Sequence, residues 1–184
     1  PWRQWFREAL YPVRPVLTAY PGTARWLLLH GPAFPGIAPV MDAGIASLQR
    51  AGFGRDTALA YASLVNTALM TIATVDDRLL HEDDGPHDHA TLIRDLSGAA
   101  PDSAGISLMM NDLMSQFTGS AEEIEAAQDR YYRFVLERLM DGLEAGLDVD
   151  RSAGPGSPDS DSLGPETDPG PGSPRPETDP GPTD

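Results

Sequence analysis

Apolar positions recur at helical spacing along most of this chain. Trp2, Phe6, Ala9, Leu10 and Val13 fall on one face of a helix that Pro12 and Pro15 should kink or end. The stretch "TARWLLLH", 23–30, reads as a short apolar helix between Gly22 and Gly31. Ile37, Val40, Met41, Gly44, Ile45 and Leu48 follow the i, i+3, i+4, i+7 pattern, and Gly52 suits the position just past a helix end. A long helix is expected from Asp56, its N-cap, to Leu80, with Tyr61, Leu64, Val65, Ala68, Leu69, Ile72 and Leu79 on its apolar side. Residues 81–105 are polar and broken by Gly and Pro, with a short helix around "HATLIRDL". A methionine-rich helix covers 106–117. Ser120 and Glu123 form a capping box that opens a last helix running to about Leu147. No period-two strand pattern appears, so the fold predicted is all-α.

The last helix raises a packing question. "RYYRFVLERLMDGLEAGL", 130–147, carries Phe134, Val135, Leu136, Leu139, Met140, Leu143 and Leu147 among charged residues. That stripe is wide for a small domain. With the 56–80 helix it makes two long elements whose small residues (Ala58, Ala60, Ala62, Ala68, Gly142, Gly146) allow close backbone approach. Two such helices from each of two chains would build a four-helix bundle about a two-fold axis. Periodicity alone fits a monomeric bundle equally well.

From Arg151 on, the pattern stops. The last 34 residues hold nine Pro, six Gly, seven acids and two Arg, and "PETDPGP" occurs at 165–171 and again at 176–182. Such a segment buries too little apolar surface to offset its ordering entropy. The expected organisation is a helical domain over 1–150 and a solvated tail over 151–184.

Charge and composition narrow the chemistry. With 28 acidic and 13 basic residues the chain carries a net charge of −15, which opposes binding to phosphate backbones or anionic membranes. No apolar run is read as approaching the ~20 residues of a bilayer span, and no membrane partner is expected. Cysteine is absent, which excludes disulfides, thiolate nucleophiles and zinc–thiolate sites and suits a cytoplasmic location. There is no Gly-rich phosphate loop and no Gly-x-Ser-x-Gly turn, and no catalytic residue or cofactor is assigned. The paired acids Asp76-Asp77 read as a solvated helix end, and Glu122-Glu123 as a first helical turn favoured by the dipole. In "HEDDGPHDH", 81–89, His81, His87 and His89 stand among four acids. They suit divalent metals chemically, but no pair sits at i, i+4 on a defined helix, so a solvated loop is expected, with Asp88 capping the next helix.

Three stretches, in order, resemble the C-terminal domain of the tetracycline-repressor (TetR/AcrR) family of transcription regulators. They are "WRQWFREAL…VLTAYPGTARWLLL", "AGFGRDTALAYASLV" (51–65) and "FVLERLMDGLEAGL" (134–147), and the agreement in helix order covers about 1–147. The resemblance implies a homodimer joined by the two longest helices, with Leu64, Ala68, Phe134, Leu136, Leu139, Met140 and Leu143 at the interface. It implies a small-molecule effector held between helices, and DNA contact only through an N-terminal helix-turn-helix not contained in this sequence. Matching from Trp2 and from Gly52-Phe53 puts Leu27 and Val75 where tetracycline repressors use a His and an acid, so the magnesium–drug mode is not expected. It puts Val13, Leu59, Ala62 and Asn66, together with Leu27, at pocket-lining positions. To these the residues themselves add Met41, Met70, Met109 and Met114, since methionine adapts to varied apolar ligands; ordinary core filling is the competing reading. Asn66 with Thr67, Thr71 and Thr74 gives the central helix a polar strip, whose threonines can instead bond back to carbonyls one turn earlier. A helical interaction module without a ligand is the alternative function.

Overall fold

The periodic segments form helices in the order expected. The structure, a computed structural model, describes residues 1–80, 89–99, 102–112, 114, 117 and 119–153. Its α-helices are α1 (Trp2–Leu10), α2 (Val13–Thr18), α3 (Thr23–His30), α4 (Ile37–Ala51), α5 (Thr57–Leu80), α6 (His89–Ala99), α7 (Ala104–Asp112) and α8 (Ala121–Ala153). No strand occurs among the described residues. The chain divides into Pro1–Ser152 and Ala153–Asp184, and of the second unit only Ala153 is described.

Local chemistry sets the ends of these elements. Pro12 stands between α1 and α2, where it cannot donate to a continuing helix. Gly52 closes α4 at φ +98°, donating to Leu48 and Gln49, while the Phe53 N–H reaches Leu48 O at 3.3 Å. A 3-10 turn, Gly54–Asp56, leads directly into α5, so Asp56 ends that turn and stands immediately before Thr57, the first residue of the helix. The capping box is formed in full: the Ser120 N–H donates to Glu123 Oε2 at 2.8 Å, and the Glu123 N–H donates to Ser120 Oγ at 3.3 Å. From there α8 runs 33 residues, six beyond Leu147 and into the segment read as tail.

The core collects one side of each long helix. Phe6 is buried and meets Trp2, Trp5 and Tyr61 edge-on, with ring centroids 6.3, 4.8 and 6.0 Å away. Leu48 of α4, Leu64 and Ala68 of α5, and Tyr132, Leu136 and Met140 of α8 complete the core, each at most 1% exposed. The Tyr132 hydroxyl donates to Leu10 O at 2.9 Å, so this ring is anchored to the end of α1. The fit is tightest at Gly44, where an added Cβ would lie 2.7 Å from a Tyr61 ring carbon and 2.9 Å from Trp5. Gly44→Ala should therefore lower stability by about 1–3 kcal/mol despite alanine's better helix propensity. An unchanged or raised unfolding midpoint in a denaturant titration would refute this.

Two expectations need correction. The stretch Gly54–Arg78 is, by length and composition, apolar enough to cross a membrane, and it escaped the sequence reading because Asn and Thr interrupt it. In the fold its apolar character supplies the core residues Ala60, Leu64, Ala68 and Ile72. The second correction concerns the subunit interface. Leu64, Ala68, Leu136 and Met140 are sealed inside one chain and have no surface to offer a partner. Leu139 and Leu143 pack against that core and are half-buried, and Phe134 alone of the seven points outward, 59% exposed.

Candidate functional site

The outer sides of α5 and α8 remain apolar after the core is filled. On α5, Leu59, Ala62, Asn66 and Met70 share one exposed side, with Leu59 and Met70 67% and 56% exposed. On α8 the corresponding side carries Tyr131, Phe134, Gly142, Ala145 and Val149. An added Cβ at Gly142 or Gly146 would meet none of the described residues within 4 Å. Arg138 interrupts this side; its guanidinium lies 5.8 Å from the Phe134 ring centre and pairs with Asp141 at 2.9 Å.

A cleft of about 350 Å³ lies between these helices, lined by Thr67, Met70, Thr71, Thr74, Val75, Arg78, Phe117, Tyr131 and Val135. Arg78 lies over the Phe117 ring at 5.2 Å. The threonine strip takes its backbone-directed form: Thr71 Oγ1 donates to Thr67 O at 2.7 Å, and Thr74 Oγ1 to Met70 O at 2.8 Å. With those protons committed, the cleft offers hydroxyl lone pairs, methyl groups, a thioether and aromatic faces, with the Arg78 guanidinium, stacked on Phe117, as the one charged group among its described lining residues. That surface suits an apolar ligand with few polar groups.

Of the nine residues expected to line a pocket, only Met70 borders this cleft. Val13 and Leu27 are half-buried and pack against the core. Met41 is half-buried on α4, Met114 is buried, and Met109 on α7 is 51% exposed. Leu59, Ala62 and Asn66 look outward, one side-chain row away from the cleft. Positions matched through a resemblance place residues along a helix, while the rotation of the helix decides what each faces. The neighbouring row Thr67, Thr71, Thr74 and Arg78 forms the cleft wall, and its three threonines belong to the strip expected only to be polar.

Most of the acid chemistry is spent on structure. Arg3 donates to Glu137, Asp141 and Glu144 at 3.0, 2.5 and 2.7 Å, and Arg7 forms a fork on Glu137 at 2.6 and 2.7 Å. The Tyr11 hydroxyl adds a further bond to Glu137. The Arg7 fork, with Tyr11 and Arg3, holds the Glu137 carboxyl down at about 2 despite its desolvation. Asp76 was misread from sequence. It is buried, 5% exposed, and burial raises its pKa. Among the described residues no group of three or more His, Asp or Glu is placed to hold a metal ion. The histidine-rich run falls outside the described residues except for His89, the first residue of α6, and so does Asp88.

Set against models of known protein families, curated proteins and solved structures, the chain matches none.

Proposed function

We propose that this chain is the effector-binding and dimerisation domain of a transcriptional repressor of the tetracycline-repressor type. The observation that carries the reading is the uncovered apolar side of its two longest helices, where Leu59, Met70 and Phe134 are each more than half exposed. A second copy facing that side would cover it, with Gly142 and Gly146 letting the helices approach closely. The interface so proposed consists of outer residues, with Phe134 at its centre and Leu139 and Leu143 at its edge. The cleft between α5 and α8 would hold a small apolar effector beside that interface. Effector binding would then alter how the two protomers meet, and operator recognition is assigned to a helix-turn-helix outside this chain.

Light scattering on the full chain after gel filtration tests the reading. The expected result is a dimer at micromolar concentration. Gly142→Leu should turn it into a monomer while leaving the fold at least as stable, because leucine favours the helix by about 0.5–1 kcal/mol over glycine and its Cβ would lie more than 4 Å from every described neighbour. A wild-type chain that is monomeric throughout would sink the repressor reading. It would favour a helical interaction module, whose exposed Leu92, Leu108 and Met109 on α6 and α7 already suit a protein partner.

A further inference from the structure

A second cleft, of about 530 Å³, opens where the end of α2 approaches α5 and the first turns of α8. Pro15, Ala19, Pro21 and Val75 give it an apolar wall, and Asp76 and Glu125 give it two carboxylates. Their situations differ. Glu125 is neutralised by the buried Arg14, which forks onto it and also donates to Gln128 Oε1 at 3.1 Å. Among the described residues Asp76 has no such partner. Its Oδ2 accepts one backbone N–H, from Gly22 at 3.2 Å, and its Oδ1 accepts no hydrogen bond from the described residues. The charge that acts on it is Asp77, of the same sign. Asp77 in turn is held by Arg25 at 3.0 Å.

Buried carboxylates are ordinarily paired, because an uncompensated charge in a poorly solvated place is costly. Asp76 is the one carboxylate buried among the described residues, and it borders a cavity of the size that small organic ligands occupy. We infer that this cleft binds a small organic cation, an ammonium group carried on an apolar body. The ammonium would donate to Asp76 Oδ1, and the body would lie on Pro15, Ala19, Pro21 and Val75. The ligand would supply the positive charge that the described residues do not bring to Asp76. Arg14 leaves Glu125 neutralised, so the cleft keeps one net negative charge for its guest. The competing explanation is that Asp76 only ties α5 to the start of α3 through Gly22. The site is separate from the α5–α8 cleft, although Val75 borders both, and its test does not depend on the regulatory reading.

The probe is phenethylamine, protonated at neutral pH, with phenethyl alcohol as its neutral counterpart. Titration of the full chain is followed through the amide resonance of Gly22, whose N–H meets Asp76. Saturable binding of the amine is expected, with the alcohol at least about tenfold weaker, the margin of one good charge-assisted contact. Asp76→Asn keeps an acceptor for Gly22 and should remove that preference. Ala19→Phe, which fills the cleft from an exposed position, should abolish binding in a folded chain. Equal affinity for amine and alcohol, an undiminished preference in Asp76→Asn, or no saturable binding of the amine would each overturn the inference. A purely structural Asp76 predicts the last of these.

Discussion

Leu136→Ala is expected to lower the free energy of unfolding by about 2–5 kcal/mol, the range for emptying a close-packed leucine site. Leu136 is 1% exposed within a single chain, and it belongs to one cluster with Leu48, Leu64 and Met140. Helices cannot readily collapse onto the gap, because Tyr132 one turn earlier is fixed by its bond to Leu10 O. Denaturant unfolding of the variant and the parent, each at two protein concentrations, measures the loss. It should be the same at both. A loss under about 1 kcal/mol, the figure for a surface change, would return Leu136 to an outer face and restore the interface first expected for it.

The second large effect concerns Glu137. Glu137→Gln removes the anion on which Arg7, Arg3 and Tyr11 converge, and should cost about 1–3 kcal/mol at neutral pH. Its pH dependence has a definite sign. An ordinary glutamate titrates near 4.5, and Glu137 in the fold near 2. The folded state therefore holds its proton less tightly than the unfolded state. The stabilisation is complete above about pH 5 and is lost as pH falls toward 2. The full shift corresponds to about 3 kcal/mol. Water reaches Arg7, Asp141 and Glu144, whose side chains are 40%, 40% and 46% exposed, so about 1–2 kcal/mol is the expected share. Unfolding free energies of parent and variant should thus differ by a constant amount at neutral pH and converge in acid. A difference that stays flat down to pH 2.5 would rule out the linkage.

Much of the fold was legible in the sequence because helices announce themselves locally. Gly52, Ser120-Glu123 and Pro12 act within a turn of their own positions, and each does what its chemistry predicts. The rotation of each long helix about its axis was less legible. Both α5 and α8 are apolar on more than one side, so periodicity identifies an amphipathic helix without saying which apolar row meets its own chain. Periodicity could therefore not check the interface that the resemblance implied, and Leu64, Ala68, Leu136 and Met140 of that set face in. Asp76 was missed for a related reason. An acid near a helix end followed by Asp77 and Arg78 reads as solvated, and its burial comes from Gly22 and Pro21, 54 and 55 residues earlier in the chain.

The contacts between α1 and α8 also bear on how the chain folds. Tyr11 reaches Glu137 across 126 residues and Arg3 reaches Glu144 across 141. Helices α1 to α5 can pair with near neighbours as they leave the ribosome, but Arg3, Arg7, Tyr11 and the Leu10 carbonyl lack their partners until α8 arrives. Closing so long a loop is slow compared with forming any single helix. During that interval the half-built core is a surface for chaperones or for aggregation. Opposite charge on α1 and α8 favours their meeting, because the arginines of one face the acids of the other in the fold.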